Sequence, residues 1–327
     1  MSAKIRIGII GYGNVGRGVR LALGQNEDME LVAIFTRRDP GNIYVDNPNV
    51  SILTISEAEK FQGKIDVMIL CGGSATDLTQ QGPYFAEKFN TVDSFDTHAK
   101  IPEYFESMDE ATRIGKNTSL ISGGWDPGLF SLNRLMAETI LPKGEGYTFW
   151  GPGISLGHSD AIRRIEGVED AVQYTIPRES AIERVRRGEN PKLSNAEKHF
   201  RDCYVVAEEG ADREKIEQTI KTMPDYFADY DTEVTFITSD QLKKEHAGMP
   251  HGGLVIHSGQ TGIDGEHVSV IEYLLKLESN AEFTASVLVA YARAVYRLNM
   301  EGNIGAKTVL DIAPAYLSPK STEQLRR

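Results

Sequence analysis

The first third of the chain alternates short apolar runs with stretches of helical texture. Lys4–Ile10 is an apolar run that ends in Gly11-Tyr12-Gly13-Asn14-Val15-Gly16; a helical stretch follows from Asn14 to about Gln25, and a second apolar run spans Leu31–Phe35. Further runs lie at Ile65–Leu70, Thr91–Phe95 and Ser119–Ser122, with a helix-like stretch from about Glu103 to Gly115 before the last. Strand-length runs spaced by helices predict βαβ units and a parallel sheet. The expected class is α/β: a Rossmann-type doubly wound parallel sheet followed by a second, α+β domain. Ligands of such sheets bind beyond the carboxyl ends of the strands. That rule singles out three crevice loops: Cys71-Gly72-Gly73-Ser74, Ser94-Phe95-Asp96-Thr97 and Gly123-Gly124-Trp125-Asp126-Pro127-Gly128.

From about residue 123 the elements lengthen. Tyr147–Trp150, Ala171–Thr175, Arg201–Ala207, Thr232–Ile237 and Gly253–His257 predict one mixed or antiparallel sheet covered by helices on one face, and the Ala-rich stretch Phe283–Leu298 predicts a helix returning toward the first domain. A chain of 327 residues exceeds one ordinary core, so two domains are the default. The expected boundaries are a dinucleotide-binding domain over 1–122, a substrate-binding and dimerisation domain over 123–298, and a segment 299–327 packing back on the first.

The glycines at 11, 13 and 16 sit between a strand and a helix, the context in which GxGxxG carries meaning. Gly11 permits the tight turn, Gly13 lets backbone approach a pyrophosphate, and Gly16 allows close helix-to-strand packing, while the helix N-terminus offers unpaired N–H groups to the anion. In NAD-binding versions a carboxylate about 20 residues on binds the ribose 2′-hydroxyl. Here that place holds Thr36-Arg37-Arg38, with no carboxylate before Asp39. Two guanidiniums and a hydroxyl suit a phosphate dianion, so the expected cofactor is NADP.

Composition narrows the remaining classes. A net charge of −12 argues against nucleic acid, whose phosphates need a positive face, and the cluster Arg184-Val185-Arg186-Arg187 reads as a solvated helix face paired with Glu179, Glu183 and Glu189. No apolar run approaches about eighteen residues and the N-terminus enters a strand directly, so neither a membrane span nor a signal peptide is expected; the expected location is cytoplasmic. The two cysteines, Cys71 and Cys203, read as reduced thiols,. The seven histidines show no HxH or HExxH spacing, so no metal is expected, and no GxSxG elbow supports a serine nucleophile.

In the second domain, polar groups meet glycine-rich bends at Trp150–Asp160, at the strand starting at Arg201, and at Met249-Pro250-His251-Gly252-Gly253. Each also has a plain structural reading, as a strand cap, an ion-paired strand residue or a turn.

Taken together, Gly11–Arg17, Phe35–Arg38, Gly73–Asp77, Gly124–Gly128, Phe149–Gly153, Gly157–Ala161, Thr222–Phe227 and Gly248–Gly253 resemble the meso-diaminopimelate D-dehydrogenase family, over Ile5 to about Pro319. The resemblance implies reversible NADP-dependent oxidative deamination of meso-2,6-diaminopimelate at its D-centre, to L-2-amino-6-oxopimelate and ammonia, by a homodimer that supplies lysine and peptidoglycan precursors. It implies cofactor contacts from Gly11, Tyr12, Gly13, Asn14, Val15, Gly16, Thr36, Arg37, Arg38, Cys71, Gly72, Gly73, Ser74, Ser94, Phe95, Asp96, Gly123, Gly124, Trp125, Asp126 and Pro127. It implies substrate contacts from Asp96, Asp126, Trp150, Leu156, Gly157, Asp160, Thr175, Arg201, His251 and Asn280. Asp96 and Asp126 suit the reacting amine; Arg201, Thr175 and His251 suit the distal carboxylate, where a guanidinium binds bidentately. Asp126 or a bound water is the candidate to take the amine proton.

One position departs from the family pattern. Leu156 stands where the family usually has Gln, which removes amide hydrogen bonds from a pocket wall. Either the family activity persists, or the pocket accepts other D-amino acids. A reading from another class is a non-catalytic NADP-binding sensor, since this fold serves many functions.

Overall fold

The computed structural model describes residues 3–326. Its strands are β1 (Ile5–Ile10), β2 (Met29–Thr36), β3 (Ser51–Thr54), β4 (Val67–Leu70), β5 (Asn90–Asp93), β6 (Thr118–Leu120), β7 (Gly144–Trp150), β8 (Gly153–Ile154), β9 (Val168–Pro177), β10 (His199–Ala207), β11 (Asp231–Phe236), β12 (His251–Thr261), β13 (His267–Leu277) and β14 (Gly305–Lys307). The chain forms two compact units, residues 1–132 with 281–327, and residues 133–280. The first unit takes in 123–132 and nearly all of the helix Asn280–Met300, so its chain leaves after 132 and returns at 281.

In the first unit seven strands form one sheet in the order β14-β6-β5-β4-β1-β2-β3, every neighbour parallel. Ile7, Ile9, Val67, Ile69 and Val92 on one face meet Val19, Leu288 and Val295, whereas Ile10, Met68 and Leu70 on the other meet Phe85, Phe95, Tyr104 and Met108. Burial on both faces is why β1 and β4 read as near-continuous apolar runs,. Two strands lay outside the sequence expectation, β3 and β14; both are edge strands of three or four residues. Arg293, 1% exposed, binds Asp28 through Nε and Nη2, Asn26 Oδ1 at 2.7 Å and the Leu317 carbonyl at 2.7 Å, tying the returning helix to the start of β2 and to the C-terminal segment.

The second unit has two sheets, not the one expected. β11-β10-β9-β8 form a mixed sheet, in which only β10 and β11 run parallel, and β13-β12-β7 form an antiparallel one. The reason lies at Gly151-Pro152, between β7 and β8. Gly151 has φ +97°, its N–H donates to Gly252 O at 2.8 Å, and a Cβ there would lie 2.0 Å from Thr175 O. Proline then has no N–H to continue the ladder, and the chain leaves one sheet and pairs with the other. Residues 184–187 form the ion-paired surface expected of them: Arg186 pairs with Glu179, Glu183 and Glu272, and Arg184 and Arg187 with Glu189.

Candidate active site

In the first unit the expected cofactor loops meet at the carboxyl ends of β1, β4, β5 and β6. The Gly11 N–H reaches Phe35 O at 2.8 Å and the Cys71 N–H reaches Ile10 O at 2.8 Å; the Asp96 N–H donates to Ser74 Oγ at 3.1 Å and the Gly123 N–H to Asp93 O at 2.8 Å. These bonds stitch the four loops edge to edge. Asp96 is exposed and Asp126 half-buried. Trp125 packs edge-on against Phe130 at 5.3 Å, and Gly128, with φ +133°, closes the turn so tightly that a Cβ would sit 1.8 Å from Gly124 O.

The residues present fit a dinucleotide. A Cβ on Gly16 would lie 2.2 Å from Gly11 O, so the helix Asn14–Leu23 starts hard against the turn, while Gly13 has nothing within 4 Å of its Cβ position and no side chain caps that helix. Open space over uncapped N–H groups is a phosphate seat. Beyond β2, the Thr36 Oγ accepts the Arg38 N–H at 3.0 Å. The Arg37 guanidinium, largely exposed, is held end-on by Asp77 at 2.8 and 3.2 Å, and that carboxylate also accepts the Gly73 N–H at 3.1 Å. The Arg38 guanidinium has no partner among the described residues. This pair of cations, one braced and one open, matches a 2′-phosphate better than a bare ribose.

The second unit builds a different environment around Arg201. Alternation along β10 puts His199, Arg201, Cys203 and Val205 on its buried face. Ladder pairing places Gly153, Thr175, Arg201 and Thr232 in one row across β8, β9, β10 and β11. Arg201 is 6% exposed; it donates to Thr175 Oγ1, lies over the Tyr230 ring at 4.0 Å, and keeps a buried Nε with no partner. No carboxylate pairs with it among the described residues. Burial depresses its pKa, as expected of a cation held out of water without an anion,.

Two histidines share that field. Burial first and the Arg201 charge second push His199 down to about 3 and His158 down to about 4, so both are neutral at neutral pH. His199 Nε2 accepts the Trp150 N–H at 2.9 Å and its ring stacks on the Trp150 indole at 5.6 Å. His158 Nδ1 bonds Ser155 Oγ at 2.7 Å. His251 Nδ1 accepts the Gly252 N–H at 2.8 Å, which leaves Nε2–H as its donor,. The Asn280 N–H reaches Met249 O at 3.3 Å, beside the His251 bend.

Leu156 opens the helix Leu156–Arg163 and is 56% exposed; Gly157 has nothing within 4 Å of its Cβ position. Asp160, one turn on, is turned to Arg164 and Arg163. The sequence reading gave no role to Asp93, Gln173 or His199. They share one signal, a polar residue at a buried position of a strand, which is readable only once the strand and its buried side are known,. Gln173 is fully buried and its Oε1 has no partner. Among the described residues no helix is long and apolar enough to cross a membrane.

Comparison with known proteins follows the same division. A family model of the diaminopimelic acid dehydrogenase C-terminal domain matches residues 124–279. The chain is 62% identical over 324 residues to the meso-diaminopimelate D-dehydrogenase of Acetivibrio thermocellus, covering 99% of this chain and 97% of that one, and 47% identical to that of Corynebacterium glutamicum, covering 98% of each. Among solved structures, a mutant meso-dapdh with DAP from Clostridium tetani aligns with a TM-score of 0.93 at 60% identity over 99% of both chains. An engineered D-amino acid dehydrogenase bound to NADP+ aligns at 0.84 and 45% identity, again over 99% of both. The same fold, the glycine turn and the buried Arg201 thus occur in a chain that, on identity over nearly its full length, belongs to the diaminopimelate dehydrogenase family.

Proposed function

We propose that the protein is an NADP-dependent oxidoreductase that reversibly deaminates meso-2,6-diaminopimelate at its D-centre. The observation that carries this reading is Arg201, a buried guanidinium with a Thr hydroxyl on one side, an aromatic face on another and no carboxylate of its own. A fold keeps such a group where a ligand completes it. The anion it suits is the distal carboxylate of a substrate with two amino-acid heads, shared with Thr175 and the His251 Nε2–H. Asp96 and Asp126 supply the opposite charge for the reacting ammonium, and Trp150 supplies an apolar wall.

Gly13 and the helix start behind it would seat the pyrophosphate of NADP+, Thr36, Arg37 and Arg38 would hold its 2′-phosphate, and the bound group would supply the hydride acceptor. The chain's own residues bind and orient: the distal head is anchored, the reacting carbon is fixed, and Asp96 and Asp126 hold the amine until it loses its proton. The D-centre carbon gives up a hydride, water adds to the resulting imine, and ammonium leaves. The products are the 2-oxo acid, ammonium, NADPH and one proton. Because the amine must be neutral to lose hydride, deamination rises toward alkaline pH. Lysine and peptidoglycan precursor synthesis, a cytoplasmic location and a homodimer complete the proposal. Apolar side chains on the second unit, among them Val268 and Leu274 of β13 and Leu135, Met136 and Ile140, are each 43–59% exposed, which suits self-association,.

A second reading rests on Leu156. Its exposed apolar side chain stands where an amide would make hydrogen bonds, and a wall of that kind tolerates simpler D-amino acids. One experiment separates the readings: formation of reduced nicotinamide by the purified protein at alkaline pH, with NADP+ or NAD+, against meso-, LL- and DD-diaminopimelate and simple D-amino acids. Turnover confined to the meso isomer with NADP+ supports the first reading. Comparable turnover of simple D-amino acids supports the second, and NADP+ binding without turnover of any substrate would leave a sensor.

A further inference from the structure

Asp93 ends β5 and has no exposed surface. Four donors converge on it. Its Oδ1 accepts the Phe95 N–H at 3.0 Å and the Ser122 N–H at 3.2 Å, its Oδ2 accepts the Tyr104 hydroxyl at 2.8 Å, and its carbonyl accepts the Gly123 N–H at 2.8 Å. One residue therefore bridges the loop after β5, the loop after β6 and the helix Ile101–Gly115.

The surroundings are built to keep it there. The Tyr104 ring stacks on Phe95 with centroids 4.1 Å apart, and Gly82 makes room for the phenol, since a Cβ at that position would lie 2.1 Å from Tyr104 Oη. Ser122 is held at φ +56°, a left-handed conformation that costs a non-glycine residue, and its buried Oγ has no partner,. Strain of that kind persists only where neighbours over-determine it, and the Asp93 carboxylate is the neighbour that takes the Ser122 N–H. Burial pushes the Asp93 carboxyl up to about 6 against the pull of its three donors. A carboxylate is a costly way to end a strand, and a turn alone does not require one.

We propose that Asp93 is a positioning residue, which sets the spacing between the loops Ser94–Asp96 and Gly123–Pro127 and so places the two carboxylates, Asp96 and Asp126. The role rests on the function proposed above, in which those carboxylates hold the reacting ammonium. Asp93 touches neither substrate nor cofactor; it acts through the Phe95 and Ser122 amides.

The test compares Asp93→Ala and Asp93→Asn with the unaltered protein in kcat, KM, NADP+ affinity and thermal midpoint. A misplacement of about 1 Å at a reacting centre costs on the order of 100-fold in rate. In Asp93→Ala, kcat per NADPH-titrated site should fall about 100-fold while KM for diaminopimelate, set by the distal head, stays within about threefold. Asp93→Asn should recover to within about fivefold, because its Oδ1 still accepts both amides and the Tyr104 hydroxyl can accept from its amide. Unchanged kcat per folded site in Asp93→Ala overturns the proposal, as does an Asn variant that folds yet is as slow as Ala. Should Asp93→Ala not fold, Tyr104→Phe and Gly82→Ala test the same latch from its far side: both should lower kcat more than they raise KM, and unchanged kcat in both overturns it. If the unaltered protein does not oxidise meso-diaminopimelate, the functional reading is what fails. Amide hydrogen exchange at Phe95 and Ser122 then decides for the latch if faster in Asp93→Asn or Tyr104→Phe, and against it if unchanged.

Discussion

Replacing Arg201 by methionine should weaken substrate binding and strengthen the fold at once. Methionine keeps an unbranched apolar stem against the Tyr230 ring but removes the buried cation, which has no carboxylate partner in the described residues. Exchanging buried charge for apolar volume is neutral or stabilising by about 1–4 kcal/mol, which in a unit of this size amounts to an increase of roughly 2–4 °C per kcal/mol in its unfolding midpoint. Losing one partner of a buried charge pair costs about 2–5 kcal/mol in binding, or about 30- to 5,000-fold in KM when KM tracks affinity. The assay is calorimetry of the free protein beside initial rates over a wide range of meso-diaminopimelate concentration. A KM within threefold of the unaltered value would refute Arg201 as the carboxylate anchor. A midpoint lowered by several degrees would refute the claim that the cation sits there uncompensated.

Three further outcomes are expected. Arg37→Ala combined with Arg38→Ala should narrow the preference for NADP+ over NAD+ by about 10-fold or more, since a hydrogen bond to a charged group contributes about 1.5–3 kcal/mol; unchanged dissociation constants for both cofactors would contradict the phosphate seat. Leu156→Gln should raise the ratio of kcat/KM for meso-diaminopimelate over a simple D-amino acid by roughly 2- to 13-fold, the value of one net hydrogen bond of 0.5–1.5 kcal/mol, and a ratio that stays flat would take Leu156 out of the pocket. His199, pushed down to about 3 by burial and Arg201, contributes stability that is fully present above about pH 6.5 and is lost as pH falls below it toward about 3, because the unfolded chain binds the proton first. Denaturant titrations at pH 7 and pH 4 should therefore show the unaltered protein losing on the order of a few kcal/mol more than His199→Gln; equal losses would mean that His199 is charged in the fold.

The parallel sheet was legible because burial on both faces writes β1, β2 and β4 as near-continuous apolar runs, whereas β5 and β6, though buried, mix Thr91, Asp93, Thr118 and Ser119 with Val92 and Leu120. The strands left unread, β3, β8, β13 and β14, lack that signature for different reasons. β8 has two residues and β14 three, too few for a period, and β3 is only half-buried at the edge. β13 is long, but it carries Val268, Val270 and Leu274 on its exposed side and Ile271, Leu275 and Leu277 on the more buried one, so apolar residues on both faces erase the alternation that would mark an interior. The division of the second unit into two sheets turns on Gly151, where only a residue without a Cβ fits against Thr175 O, a constraint that no periodicity encodes. At the site, the glycine turn carried its own chemistry in spacing, whereas Asp93 and His199 act through partners distant along the chain, Tyr104 and Ser122 in one case and Trp150 in the other.

The discontinuous first unit has a consequence for how the protein is made. β14 and the helix Asn280–Met300 are translated last, yet β14 pairs with β6 and the helix buries Val287, Leu288, Tyr291 and Val295 in a core begun by β1. On the ribosome, residues 133–280 emerge whole and hold their own core, while the nucleotide-binding half waits with an open strand edge and an uncovered apolar face. An unpaired edge of that kind is where chains stick to one another. A release that comes too early, or a stop codon before Gly305, would therefore leave the half that was synthesised first with that strand edge unpaired and that apolar face uncovered.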